Sequence, residues 1–429
     1  MPILRRPTDR KSPREGVNRS AGSHARASQF AERVAGQRAD SAVRAPAFTS
    51  FDFHCHTRLV FGVNAVERVG ELARELGLKK ILLITDAGIV KAGHSQRVLD
   101  SLKSAGVRAE LFDRVHENPT TRDVALCLAA ATKTAIDGLI GLGGGSSLDT
   151  AKGCNFLLTN GGRMEDYWGV GKATKPMLPL IAIPTTAGTG SECQSFALIA
   201  NETTHQKMAC GDPKAAPRVA ILDPALTLSQ PARVTACTGI DALAHALETV
   251  VTKKHTPLSA IYSREAFRLC HGNLGRVLQK PDDVEARAGM LLGAAFAGLA
   301  IENSMLGAAH AAANPLTARF NLIHGHAVGL MLPGVIRFNA NDAQARRCYE
   351  ELNSSPGAGK TPVDKVEWLA ASIESLMDQA SLPRSLSACG VNRAAIPALA
   401  AEAARQWTAT FNPRPVTAKD FARLYRLAY

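Results

Sequence analysis

At 429 residues the chain exceeds what one hydrophobic core usually fills, about 250–300 residues, so two substantial domains are expected. Its 46% hydrophobic and 21% charged residues are ordinary for a globular protein, and no apolar stretch runs uninterrupted for the ~18–20 residues of a membrane helix. The net charge of +12 hints at an anionic partner, but ten Lys/Arg against four Asp/Glu fall between Met1 and Pro46, so half of the excess lies outside the body of the chain.

Residues 1–47 are rich in Arg, Ala, Ser and Gly and lack apolar periodicity, which predicts a disordered basic tail. A plain extension and a targeting peptide both fit this composition, although Asp9, Glu15, Glu32 and Asp40 weaken the second. No aromatic interleaves the arginines, so a nucleic-acid-binding arm fits worst. The opening lacks an apolar secretory core. From about Phe51 to Leu226, short apolar runs at Lys80–Thr85, Arg108–Phe112, Gly138–Leu142, Leu180–Pro184 and Val219–Leu222 read as strands. They alternate with amphipathic helices such as Ala65–Leu76 and Val124–Thr134. That alternation predicts an α/β domain over 48–226, with a parallel sheet covered by helices. After Asp223 the strand signal stops, and 227–429 reads as an all-α domain. The nine cysteines are odd in number and form no CxxC pair, which predicts reduced thiols in the cytoplasm rather than a disulfide framework.

Three segments suit an anionic cofactor. The run Gly138–Leu142 leads into Gly143-Gly144-Gly145-Ser146 and then a helix, a geometry that offers free backbone N–H groups and the helix dipole to a phosphate. It is neither GxGxxG nor GxxxxGK[ST]. Asp86 directly follows a predicted strand, where a carboxylate can accept from a ribose diol or, equally, cap a helix. Thr185, Thr186 and Thr189 follow another strand in PTTAGTGSE and can meet a diphosphate or ribose, or serve as a capped helix start.

Asp241 and His245 lie four apart in a run of helix formers, so they share one helix face and make half of a divalent-cation site. The other half is sought among His310, on an Ala/Gly-rich helix, and the neighbours His324 and His326, between which the residues alone do not choose. His54-Cys55-His56 has no partner pair nearby and is read as no metal site.

Seven motifs occur in order: TRLVFG from Thr57, Asn118-Pro119-Thr120, GGGSSLDTAK, PTTAGTGSE, DPALT, TGIDALAHALE, and Asn412-Pro413-Arg414-Pro415. Together they resemble the iron-containing (group III) alcohol dehydrogenase family over Phe51–Tyr429. The resemblance implies a Rossmann-like, doubly wound NAD-binding domain and an all-α metal domain, as in dehydroquinate synthase, with the active site between them. It implies metal ligands at Asp241, His245, His310 and His324, for Fe²⁺ or alternatively Zn²⁺. It implies cofactor contacts at Asp86, Asn118, Gly144, Gly145, Ser146, Thr185, Thr186, Thr189 and Lys207, with Asp86 favouring NAD over NADP. The substrate is expected to be a small alcohol, aldehyde or ketone, and the assembly a homodimer or larger. No membrane or nucleic-acid partner is expected. One departure stands out: where the family often carries a histidine four residues beyond the one matching His310, this chain has Asn314, which is no general base. Glycerol dehydrogenases, maleylacetate reductases and hydroxyacid–oxoacid transhydrogenases are the alternative activities on the same architecture.

Overall fold

A computed structural model describes residues 50–204, 206–352 and 364–429. The expectation of a disordered tail over 1–47 lies outside the described residues. The first half builds a six-stranded sheet from β1 (Arg58–Phe61), β2 (Lys80–Ile84), β3 (Arg108–Phe112), β4 (Gly138–Gly143), β6 (Leu180–Pro184) and β9 (Val219–Leu222), in the order β1-β9-β6-β4-β2-β3. Every pairing in it is parallel. All six residues of β4 and all five of β6 are buried, as parallel strands covered on both faces must be.

Alternation along each strand sends side chains to two different helical layers. Leu83, Ile140, Ile183 and Ile221 pack with Leu72 of α1 (Val69–Glu75) and with Val98 and Leu102 of α3 (His94–Ser104). Leu82, Ile84, Leu139 and Leu180 pack instead on Cys127 of α4 (Thr121–Thr132) and on Ala151 and Cys154 of α5 (Gly145–Asn160). The sheet is therefore doubly wound. Its connections run from β2 outward to β3 and then back past β2 to β4, so the strand order reverses between β2 and β4. Ligands of open parallel sheets bind at that point, beyond the strands' carboxyl ends.

A second, three-stranded sheet was not anticipated from the sequence. It pairs β5 (Gly169–Val170) with β8 (Lys207–Gly211), and β8 antiparallel with β7 (Phe196–Ala200). The short α2 (Ala87–Lys91) follows β2.

Beyond Leu222 no strand occurs among the described residues. The helices are α6 (Ala232–Thr249), α7 (Pro257–Gln279), α8 (Val284–Glu302), α9 (Ala308–Phe320), α10 (His324–Asn339), α11 (Ala343–Leu352), α12 (Lys365–Gln379), α13 (Ile396–Ala403) and α14 (Ala418–Leu427). Of these, α8 is long and apolar enough to cross a bilayer, yet 67% of its most apolar window is buried, and it packs along α7 and α6 as a core helix. All nine cysteines are free, six of them buried.

Candidate metal centre and cofactor-binding loops

The carboxyl ends of β2, β4 and β6 gather most of the residues expected to meet a cofactor. Gly144 is the N-cap of α5, so Gly145 and Ser146 present first-turn amides that no intrahelical carbonyl can satisfy. Both glycines sit under the next loop: a Cβ on Gly144 would lie 3.3 Å from Thr186 Cγ2, and one on Gly145 2.9 Å from Thr189 Cγ2. Thr185 is buried, and its N–H donates to Gly143 O at 2.9 Å, which locks the threonine loop onto the glycine turn. Ser146 Oγ accepts from the Asn118 N–H at 3.3 Å, bringing in the β3–α4 connection.

Asp86 caps α2, and a single oxygen does the capping: Oδ1 accepts from Gly88 N at 2.8 Å and Ile89 N at 3.1 Å. Its Oδ2 is left facing Gly143, 3.4 Å from where a Cβ there would be. Cap and acceptor are thus compatible roles for one carboxylate. Lys207 stands apart from this group. It begins β8 as an exposed residue, and desolvation lowers its pKa against the pull of Asp149 and Asp241.

The second cluster forms around Asp241 on α6. His245 Nε2 lies 3.7 Å from Asp241 Oδ2, His310 Nε2 lies 3.4 Å from Oδ1, and His324 Nε2 lies 3.9 Å from Oδ1. The His245 and His310 rings stack at 4.8 Å, and His324 is tilted against His310 at 5.4 Å. Asp241, His245 and His310 place ligand atoms within 4.8 Å of one another, a group that does not include His324. Burial opposes the charge on Asp241, but the neighbouring imidazoles overcome it and hold the carboxyl well below its usual range. Burial also works against a charged His310, yet the neighbouring carboxylates of Asp241 and Glu248 raise it to about 9, whereas burial pushes His324 down to about 3. The buried Asp241 Oδ1 and His310 Nε2 have no hydrogen-bond partner among the described residues. A carboxylate oxygen and an imidazole nitrogen left buried and unsatisfied, with the Nε2 atoms of two further imidazoles converging on them, suit the donor set of a divalent cation.

The remaining nitrogens of two imidazoles are fixed from behind. His245 Nδ1 faces the carbonyl of Gly188 at 3.2 Å, and His310 Nδ1 faces Glu248 Oε2 at 2.6 Å, so both rings present Nε2 forward. Glu248 also accepts from the Gly307 and Ala309 N–H groups, at 3.0 and 2.6 Å, tying the start of α9 to α6. Sequence reading missed Glu248, although it lies seven residues after Asp241 and three after His245 on a helix whose neighbouring residues are all buried. Glu248→Gln is expected to lower divalent-cation affinity by about 10–100-fold, measured by competition with a metal indicator, while α-helical content stays unchanged.

Gly188 also explains how the two clusters meet. A Cβ there would lie 2.4 Å from Thr238 Cβ, so glycine lets the threonine loop touch α6. One residue later Thr189 packs on Gly145, so a single loop links the glycine turn to His245. Lys152 and Asp149, from the same glycine-rich motif, hold that loop in place. The buried Lys152 Nζ donates to Ser191 O, Ser191 Oγ and Phe196 O at 2.6, 2.8 and 2.9 Å, and Ser191 Oγ donates to Asp149 Oδ1 at 2.7 Å.

The structure separates the two candidate histidines of α10. His324 turns toward Asp241, whereas His326 Nε2 lies 2.8 Å from Pro383 O and 3.9 Å from Cys389 Sγ. His54 and His56 stack on each other at 5.1 Å, and His54 lies 3.5 Å from the exposed Asp52.

Residues 56–224 match the family described as iron-containing alcohol dehydrogenase, and residues 235–429 match that family's C-terminal region. The chain is 34% identical over 370 residues to an NAD-dependent methanol dehydrogenase of Bacillus methanolicus, covering 86% of this chain and 97% of that one. It is 33% identical over 386 residues to a 1,3-propanediol dehydrogenase of Klebsiella pneumoniae, covering 89% and 100%. Among solved structures, an alcohol dehydrogenase from Oenococcus oeni superposes with a TM-score of 0.84 at 30% identity, covering 89% of this chain and all of the other.

Proposed function

We propose a division of labour among the residues of this chain, which belongs to the iron-containing alcohol dehydrogenase family. It is an NAD-dependent, metal-dependent oxidoreductase that moves a hydride between NAD(H) and a small alcohol or aldehyde. Asp241, His245, His310 and His324 hold the divalent cation. The observation that carries this assignment is the convergence of three Nε2 atoms on Asp241, with its Oδ1 and His310 Nε2 buried and unpartnered. We take the ion to be Fe²⁺, with Zn²⁺ the alternative that one carboxylate and three imidazoles also suit.

The α/β domain, 48–226, binds NAD across the β2/β4 switch point, and the helical domain, 227–429, carries the cation. Gly144, Gly145 and Ser146 give backbone and hydroxyl donors to the diphosphate. Asn118, Thr185, Thr186, Thr189 and Lys207 line the rest of its path. Asp86 Oδ2 accepts from the adenosine ribose and repels a 2′-phosphate, which favours NAD over NADP. A bound cation supplies Lewis acidity toward the substrate oxygen, and the nicotinamide exchanges the hydride. The chain itself supplies alignment: the loop from Thr185 to Thr189 contacts both binding regions and so fixes their separation. Asn314 accepts no proton, so release of the alcohol proton falls to water or to the cofactor ribose. The free thiols fit a reducing compartment, and we place the protein in the cytoplasm as a homodimer or larger assembly.

The test is metal content together with NADH absorbance over a panel of short alcohols, diols and aldehydes. Turnover that EDTA abolishes and Fe²⁺ or Zn²⁺ restores is the expected result; a purified chain that takes up neither ion defeats the assignment. Within that assay His324→Ala should lose the metal and nearly all turnover, and His326→Ala should keep most of both. The reverse pattern would move the fourth ligand to His326.

A further inference from the structure

Two of the buried charged side chains in the helical half, Asp241 and Glu248, face imidazoles. Arg287, near the start of α8, is 3% exposed and pairs with no carboxylate among the described residues. Its guanidinium donates instead to two carbonyls, from Nη1 to Thr227 O at 2.7 Å and from Nε to Pro281 O. Those bonds tie the turn Pro224–Ser229 to the connection between α7 and α8. Neutral carbonyls do not cancel the positive charge, and Nη2 has no bond among the described residues. Burial lowers the pKa of Arg287, with no acid beside it to offset the effect.

Arg287 lines a small cavity together with Thr227, Gln230, Thr235 and Thr238, and apolar side chains of α7 and α8 complete the wall. No carboxylate lines it. Two of the three hydroxyls are already spent: Thr227 Oγ1 donates to Pro224 O at 2.8 Å and Thr238 Oγ1 to Val234 O at 2.9 Å. Thr235 Oγ1 is buried and has no partner among the described residues. Gln230 Nε2 donates to Thr238 Oγ1 at 3.0 Å and keeps a second N–H. The capacity left over is thus chiefly that of donors. Thr235 is also the fourth residue of α6, whose positive end has no side-chain cap. The cavity measures about 10 Å³, room for one particle the size of a water or a halide ion and too little for a phosphate. A water would leave the arginine's charge unmet, whereas a monovalent anion meets it.

We infer that this cavity is a binding site for one halide-sized anion, chloride under ordinary conditions, held by Arg287, Thr235 and Gln230. Its place in the fold gives it a structural role. Ala187 also lines the cavity, and Thr238 is the residue that Gly188 lets the threonine loop touch. The anion therefore braces the seat of the loop that joins the glycine turn to His245, and it stabilises the folded chain by mass action.

The experiment has two arms on the metal-loaded protein. Crystals soaked in sodium bromide should show an anomalous peak within hydrogen-bond reach of Arg287 Nη2 and Thr235 Oγ1. In solution, potassium chloride is exchanged for potassium gluconate at fixed ionic strength, so that screening stays constant and only the anion changes. The thermal midpoint should rise saturably with chloride, by several degrees at saturation. Thr235→Val keeps the side chain's size and removes the hydroxyl, and it should raise the half-saturating chloride concentration by about tenfold or more. Arg287→Gln should abolish the chloride response; if that chain does not fold, the bromide peak and the Thr235 variant still decide. A cavity without an anomalous peak holds water and overturns the inference. So does a midpoint equal in the two salts, or a chloride response that Thr235→Val leaves unchanged, which would place the ion elsewhere, at the metal for instance.

Discussion

Asp241→Asn should leave a folded chain that retains less than a tenth of its bound divalent metal and loses turnover on the order of a thousandfold, a few kcal/mol of lost charge stabilisation in the transition state. The substitution keeps the side chain's shape and removes its charge. Asp241 is the hub of the cluster: the three Nε2 atoms lie 3.4–3.9 Å from its oxygens and have no other anion in common. An amide offers a cation one weaker oxygen and an NH₂ that points at imidazole nitrogen. Packing is untouched, so circular dichroism and the thermal midpoint should stay close to those of the metal-stripped wild type, which is the proper reference because bound metal itself stabilises. Elemental analysis of the purified variant, with a kcat/KM measurement on one alcohol, decides the matter. Full metal occupancy with turnover within tenfold of wild type would show that the ion, if held here at all, does not depend on this carboxylate.

The main sheet was legible because each of its core strands is a short, nearly unbroken apolar run followed by a turn. β3, β6 and β9 begin and end where the sequence places them, and β2 and β4 differ by one residue at the carboxyl end. Continuous burial on both faces writes that signature directly into β4, β6 and β9, whereas the edge strand β3 is buried only at Phe112 and the edge strand β1 was not read as a strand. The small sheet was not legible. β7 and β8 are five-residue segments whose pairing is fixed by distant contacts, among them Lys152 donating to the Phe196 carbonyl across 44 positions.

In the metal centre, helical spacing alone joined Asp241 to His245. Spacing could not rank His324 above His326, because both stand in the first turn of α10. Their separation is decided by the capture of His326 at Pro383, 57 residues away, and by how closely α10 approaches α6. Glu248 was the opposite case. Its signal was present as an acidic residue in register with both ligands on an otherwise apolar helix, and it needed only the question of what orients an imidazole.

The close approach of α10 to α6 yields the other large effect: Gly325→Ala should abolish metal binding through a residue that ligates nothing. A Cβ at Gly325 would lie 2.0 Å from the Cys237 carbonyl oxygen, 2.7 Å from its carbonyl carbon and 3.2 Å from Asp241 Cβ. The first two are backbone atoms within α6, so no side chain can turn aside to relieve the overlap. The helix must move instead by more than an ångström, carrying His324 away from Asp241 and disturbing the neighbouring contact, where a Cβ on Gly329 would lie 2.8 Å from Ile240 Cγ2. Overpacking of a rigid core site costs about 3 kcal/mol or more, which for a domain of this size lowers the midpoint by roughly 6–12 °C. Gly272→Ala is the control. That glycine is exposed on α7, a Cβ there meets nothing within 4 Å, and the change should raise stability by about 0.4–1 kcal/mol through the unfolded chain. Differential scanning calorimetry and metal analysis on both variants separate the outcomes. A Gly325→Ala protein that keeps its metal and melts within about 2 °C of wild type would mean that α10 can retreat from α6 without moving His324. His324 would then owe its position to the turn before α10 rather than to this contact between helices.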